Sequence, residues 1–448
     1  MKTLLYISLF LCSVGFVSAQ NSLYIPPVIE GSSTIELVIQ EGTVEFFPGQ
    51  TTNSMGINGQ ILAPTLIFDK GDYKNINITN QLSDSTTIHW HGMHVPSSMD
   101  GGPHTVVAPN SIWNPSFTVM DNASTMWYHP HLHHKTNKHV QMGVAGFIII
   151  RDTIEASLNI PRTYGVDDIP VLIQTKTLDN NFQIDTDMAN SGMDDLVLIN
   201  ATPDAFFDAP AQIVRLRLLN GASERSFNIG FSNNASFQVI ASDGGLLESP
   251  VSMNRLLISN GERYEILIDL SDMEGQELNL MNYGSTMPSG IYGTQNLGMG
   301  GFSIPNYSSN PLNGADYILL GLHIGNQTEN PIQTIVESLV PIDYINPSTS
   351  TVNRSITMSP VAMGPYGALN GPFQLNGQVF DMNVINETVS INATEIWSIT
   401  NQSQVAHPFH IHDVQFNIIE INGNPAPLHK QGWKDVVLVP AQQGNVKF

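Results

Sequence analysis

Short runs of alternating apolar and polar residues recur along the chain, each closed by a cluster of Gly, Pro, Asn, Asp or Ser. "STIELVIQEGTVEFF", "NINITNQL", "VAGFIIIRD", "IVRLRLLNG", "RYEILIDLS" and "ATEIWSITNQ" are examples. In an extended strand successive side chains point to opposite faces, so a two-residue period marks strands with one face buried. Helical spacing is sparse. Many short strands separated by turn residues predict β-sandwiches. Two Pro/Asn-rich stretches read as linkers, "LNIPRTYGVDDIP" near 158–170 and "NQTENPIQ" near 326–333. The pattern therefore predicts an all-β chain of three consecutive sandwich domains, spanning 20–155, 156–325 and 326–448.

An internal repeat links the first and third of these. "INGQ" at 57–60 is followed by "ITNQ" at 78–81 and then by "IHWHG"; "LNGQ" at 375–378 is followed by "ITNQ" at 399–402 and then by "HPFHIH". His89 and His91 lie 8 and 10 residues after Gln81, and His410 and His412 lie 8 and 10 residues after Gln402. The middle domain has a related run, "VRLRLLNGASERSFNIGF", without histidine at the equivalent place. It reads as a spacer copy that carries no ligands.

Residues 1–19 stand outside the strand pattern. Lys2 precedes the apolar stretch "LLYISLFLCSVGFV", and Val17-Ser18-Ala19 is a small-residue cleavage site. This predicts a signal peptide, a mature start at Gln20, and export to the periplasm or out of the cell. Cys12, the one cysteine, falls inside it, preceded by Phe10 and Leu11 where a lipidation site would want small residues. The mature chain is thus expected to have neither disulfides nor a thiolate metal ligand. No later segment is apolar for long enough to span a bilayer as a helix. Charged residues are only 12% and the net charge is −22. So acidic a chain argues against nucleic acid, where neutralising phosphate dominates affinity, and against docking on anionic lipid. A monomer is expected.

Histidine changes the picture most. Three clusters stand out, "HWHG" at 89–92, "YHPHLHH" at 128–134 and "HPFHIH" at 407–412, in a chain of 14 histidines. Residues i and i+2 of a strand share a face, so each H-x-H projects two imidazoles toward one site. One such pair is as readily a chance surface feature. His89/His91, His129/His131 and His410/His412 are three pairs, two of them in repeat register. Imidazole suits copper, zinc and iron, and six imidazoles exceed what one closed tetrahedral zinc needs. They fit a polynuclear site at a domain interface. His94, His104, His133, His134, His139, His323 and His429 lack this register and mostly read as exposed or hydrogen-bonded loop residues.

"IHWHGMHVPSSMDGGP", "MWYHPHLHHKTNKHVQMGVAGFIII", "VRLRLLNGASERSFN", "IASDGGLLESPV", "ISNGERYEILIDL", "LNGQVFDMN", "HPFHIH" and "GWKDVVLV" together resemble the three-domain multicopper oxidases, nearest the bacterial laccase-like and cuprous-oxidase branch. The resemblance covers nearly the whole chain after the leader. It implies three cupredoxin-like Greek-key sandwiches and a copper-dependent oxidoreductase. Such an enzyme couples one-electron oxidation of a phenol or metal ion to four-electron reduction of O₂ to water. It also implies roles for the histidines. His89 and His410 would hold the type 2 copper. His91, His129, His131 and His412 would hold the binuclear type 3 pair, and His407 the type 1 copper. Asp100, in "MDGGP", matches a carboxylate that helps move protons, which O₂ reduction consumes; the same residues also read as a turn.

One family motif is missing. A His-Cys-His run, whose cysteine would complete the type 1 site, does not follow His412; only His429 does, and no cysteine. Either the chain is cut before that motif, leaving the third domain incomplete, or it is a natural copy that has lost it. The strand-like ending "GNVKF" and the intact upstream ligands favour the first. Without the thiolate this polypeptide is expected to bind copper yet oxidise phenols poorly. A non-catalytic copper-binding or copper-resistance protein, or a cupredoxin-repeat scaffold, is the alternative. Met281, Met287, Met299, Met358, Met363 and Met382 are scattered rather than clustered. They read as packing residues, so a general phenol or metal-ion oxidase is expected rather than a dedicated Cu(I) oxidase.

Overall fold

A computed structural model of the chain describes residues 21–187, 194–297, 307–362 and 371–448. The expected signal peptide with Cys12, and Met299 and Met363, lie outside the described residues. Strand follows strand, as the alternation requires. In the strand Tyr73–Asn80, for example, Lys74, Ile76, Ile78 and Asn80 are buried while the residues between them are more open. The one α-helix among the described residues is Thr136–Met142, ended by Gly143 at φ +119°, where a residue without Cβ is favoured. No helix among them is long and apolar enough to cross a membrane.

The sheets stack into three sandwiches. Two five-stranded sheets enclose the first core, around Leu37, Ile76, Trp90 and Ile148. A seven-stranded and a six-stranded sheet enclose the middle core, around Ile169, Leu216, Phe227 and Ile266. The short strand Asn21–Ser22 joins the middle domain's sheet by pairing with Ala205 and Phe206. The third core, around Ile399, Phe409, Val437 and Val446, lies between a seven-stranded sheet and a two-stranded one made of His407–His410 and Val436–Val439. An apolar groove of about 420 Å³ opens beside that pair, lined by Trp397, Ile411, His412, Phe416 and Phe448 among others.

The repeat has a structural root. Each sandwich contains a parallel strand pair that ends at a fully buried asparagine: Asn80, Asn220 and Asn401. Each amide donates to two backbone carbonyls: Asp84 and Val107, Arg225 and Ile258, Val405 and Val439. Each side-chain oxygen accepts the N–H two residues on, at Leu82, Ala222 and Ser403. One asparagine per domain thus satisfies a buried turn that has no ladder to join. From that turn the chain enters the strand His89–His91 in the first domain and the strand His407–His410 in the third, with His412 just beyond its end.

Buried ion pairs lock the domains together. Arg217 of the middle domain reaches Asp168, Glu265 and, in the first domain, Thr125 Oγ1, at 2.7 to 2.8 Å. Lys434 of the third domain lies 3.0 Å from both Asp243 and Glu262 of the middle one. The stretch expected to link the first two domains ends early: Asp168 already belongs to the strand Asp168–Lys176, and Asp167 accepts from Thr163 and Gln212.

Candidate metal centre

The strand His89–His91 pairs antiparallel with Ser124–His129, which sets His89 opposite His129 and His91 opposite Trp127. The intervening Trp90 points the other way, into the first core, and donates from Nε1 to Met99 O at 2.9 Å. Period two therefore sorts ligands from core within three residues. Pro130 interrupts the strand, and His131 is pinned just beyond it by a 2.6 Å hydrogen bond from its N–H to Thr87 Oγ1.

The third domain brings its own pair to the same place. The ring of His410 stacks on His91 at 3.9 Å and 9°, and that of His412 stacks on His89 at 3.9 Å and 16°. The two H-x-H pairs thus interleave face to face across the domain seam. His129 and His131 close the cluster, 5.5 and 5.4 Å from His89 between ring centroids. Ligand atoms of His89, His410 and His412 lie within 4.8 Å of one another, as do those of His89, His91 and His129, and those of His91, His410 and Asp435. The six paired histidines are therefore one group.

Their hydrogen bonds fix which nitrogen is bare. His89 Nδ1 donates to Asp100 O at 3.0 Å, His129 Nδ1 to Pro130 O at 2.9 Å and His410 Nδ1 to Asp435 O at 2.8 Å. A carbonyl can only accept, so each Nδ1 carries the proton and each Nε2 a lone pair. His412 Nδ1 likewise donates to Asp100 Oδ2 at 3.0 Å. His89 Nε2 and His410 Nε2 are buried without a partner. His91 differs: its Nε2 is 3.2 Å from Asp435 Oδ1 and its Nδ1 is 3.2 Å from His129 Nε2.

Burial keeps His89, His91, His129, His131 and His410 neutral, the form that binds metal. It pulls His131 down to about 4 and His410 to about 3, and holds His91 and His129 well below the usual range, with neighbouring histidines adding to the effect. Asp100 bridges His89 and His412. Burial opposes its charge, but the hydrogen bonds from His412 and His89 prevail and hold its carboxyl low. It also closes the turn after the 3₁₀ segment Ser97–Met99, so the turn reading and a site position hold together.

His407 stands apart from the cluster, edge-on to Phe373 at 4.5 Å. Its Nε2 is buried without a partner, and burial pulls it down to about 4. Of the remaining histidines, His94 pairs with Asp121 at 2.5 Å and His104 bonds Met382 O at 2.8 Å. His139 departs from the loop expectation: it is fully buried in the helix, beside Thr86 Oγ1 at 3.1 Å.

Four residues at the centre escaped the sequence reading. Asp435 touches two of the clustered histidines, and Arg263 of the middle domain holds it by hydrogen bonds of 2.7 and 2.5 Å. Asp243 accepts from the backbone of Arg263, Asp435 and Val436. Trp127 lies 4.0 Å from His129 and 5.2 Å from His91 between ring centroids, its Nε1 buried and unpartnered. The charged pairs in "NGERY" and "GWKDV" were visible, but nothing local marks a charge as buried. Through Arg263 and Asp243 the middle domain supports the centre, so it is more than a spacer.

Multicopper oxidase family models match residues 38–155, 175–286 and 345–448. The multicopper oxidase mco of Staphylococcus epidermidis is 32% identical over 442 residues, 96% of this chain and 86% of that protein. The cell division protein FtsP of Escherichia coli is 30% identical over 427 residues, 94% of this chain and 85% of its own. Among solved structures, a laccase-like multicopper oxidase, CueO, from Ochrobactrum sp. superposes with a TM-score of 0.82 at 31% identity, covering 95% of this chain and 92% of that one. The McoA multicopper oxidase of Aquifex aeolicus gives 0.81 at 28% identity, covering 96% and 92%.

Proposed function

The chain belongs to the multicopper oxidase family, and on that premise we propose that its six clustered histidines hold the copper that reacts with O₂. His89 and His410 would take the type 2 ion. His91, His129, His131 and His412 would take the type 3 pair, and His407 a separate type 1 ion. The donor set fits. His89 Nε2 and His410 Nε2 are buried lone pairs with no hydrogen to accept, an arrangement that costs free energy until a cation arrives. When bound, copper supplies one-electron acceptance from the reducing substrate and, as a cluster, four-electron delivery to O₂.

The chain's own residues do the rest. The stacked rings keep the two halves of the site in register, with His89 and His91 buried and His410 and His412 partly so. Asp100 is the candidate proton carrier. Its Oδ1 lies 3.1 Å from His89 Nδ1 and its Oδ2 3.0 Å from His412 Nδ1, so it touches both halves of the cluster. The reducing substrate we assign is a phenol or a metal ion. In the same reading the protein is an exported monomer, in the periplasm or outside the cell, with its leader at 1–19 and domains divided near 155 and 325.

No cysteine lies among the described residues, so His407 has no thiolate beside it. This polypeptide should therefore load copper at the cluster yet lack the intense blue absorption of a copper thiolate, and turn over phenols poorly. The interleaved stacking of the two H-x-H pairs carries the assignment. Copper content per chain, with an absorption and paramagnetic resonance spectrum, tests it. We expect bound copper, lost in His89→Ala and His412→Ala. Absence of copper overturns the assignment, and turnover at the rate of a complete laccase overturns the predicted defect.

A further inference from the structure

His91 is the one clustered histidine whose Nε2 meets a carboxylate, and that carboxylate is not free to move. Asp435 is fully buried. Both its oxygens accept from Arg263, Nη1 to Oδ1 at 2.7 Å and Nη2 to Oδ2 at 2.5 Å, and Oδ1 is also 3.2 Å from His91 Nε2. Arg263 belongs to the middle domain, and its own backbone is tied to Asp243 at 2.8 Å. The pair lies flat against the backbone after His91. A Cβ on Gly92 would sit 2.6 Å from Arg263 Nη2 and 2.8 Å from Asp435 Oδ2, and Gly92 has φ +98°. Three domains therefore meet on one imidazole.

We propose that Asp435, clamped by Arg263, is a positioning residue that fixes His91 in its Nε2-protonated tautomer, so that His91 turns Nδ1 toward the metal centre. A carboxylate engaged by a guanidinium has only lone pairs to offer, so the ring nitrogen facing it must donate. The other ring nitrogen is then a bare lone pair, and it is the one facing His129 Nε2. That atom is bare too, because His129 Nδ1 donates to Pro130 O at 2.9 Å. Two lone pairs 3.2 Å apart repel unless a cation lies between them. Hydrogen bonds beyond the ligands set ligand tautomer and orientation in this way at metal sites generally. Here the supporting arginine comes from the domain that contributes no ligand.

The inference rests on copper binding at the cluster, but its first test needs no copper. In the metal-free full chain, long-range proton–nitrogen correlation of the imidazole rings reports which His91 nitrogen bears hydrogen. His91 is assigned by its absence from His91→Gln. We expect Nε2–H, and Nδ1–H overturns the proposal. The second test is the double variant Arg263→Met/Asp435→Leu, which replaces the pair by apolar side chains of similar size and so avoids stranding a buried charge. Both His91 tautomers should then be populated, and bound copper should fall by at least one ion per chain. A folded double variant with His91 still wholly Nε2–H overturns the proposal. If the variant does not fold, the wild-type spectrum decides alone. Nε2–H in a wild-type chain that binds no copper upholds the positioning role and defeats the copper assignment instead.

Discussion

Gly92 shows how little slack the centre has. Its φ of +98° disfavours any Cβ, and the space a Cβ would need holds the Arg263–Asp435 pair. Gly92→Ala should cost about 1–3 kcal/mol through displaced neighbours and reduce copper loading; thermal unfolding and metal analysis measure the two separately. Lys176 illustrates a different residue-scale cost. It is buried, donates to Gln141 O at 2.6 Å, and burial pulls its amine from 10.5 down to about 7. The folded value is below the unfolded one, so between about 7 and 10.5 the unfolded chain binds more protons. Stability should rise with pH through that window, by at most about 1.4 kcal/mol per pH unit. Lys176→Met should raise the melting temperature at pH 7, by an amount that shrinks toward pH 10. At this scale the ligand histidines were legible and their supports were not. Two identical residues at i and i+2 declare themselves, whereas Asp435 means nothing until Arg263, 172 residues away, is brought against it.

Among elements, the H-x-H strand was the part most readable in sequence, because a period of two fixes which side chains share a face. Its partners were not readable. That His410 stacks on His91 and His412 on His89 depends on how two sandwiches pack, and no local period encodes that. The repeat register did predict that the two pairs correspond, and the buried Asn80 and Asn401 show why the spacing is kept: each ends a parallel pair and sets where the next strand begins. The segment from Lys434 to Val436 is held by Asp243, which pairs with Lys434 at 3.0 Å and accepts from the Asp435 and Val436 N–H groups. Asp243→Ala would leave the buried Lys434 ammonium with Glu262 alone and strip these N–H groups of their acceptor, a loss of about 3–5 kcal/mol. A lowered denaturation midpoint, with faster amide exchange at 434–436, is the expected readout.

For the molecule as a whole, function and assembly are one event. The first and third domains supply every clustered histidine, and the middle domain supplies the arginine between them. Ligand binding to the folded form alone adds stability as the logarithm of concentration, about 2.7 kcal/mol at a hundredfold excess over Kd. Copper should therefore raise the unfolding temperature of all three domains together, and should slow amide exchange at the seams around 89–92, 263 and 434–436. Uncoupled transitions in loaded protein would contradict this. The fold class and the three-domain order could be read from strand alternation and turn residues. The interfaces could not, because burying Lys434 with Asp243 and Glu262 defies the polar-outside pattern on which such reading relies.

Trp127 gives this chain a built-in gauge. Its indole is 4.0 Å from the ring of His129, inside the protein and away from solvent quenchers. A paramagnetic ion bound at that histidine drains the excited indole by contact-range electron transfer, so each arriving ion should darken the emission. Titrating copper while watching tryptophan light would then trace the filling of the centre in real time, and Trp127→Phe should blind the signal while leaving the metal in place.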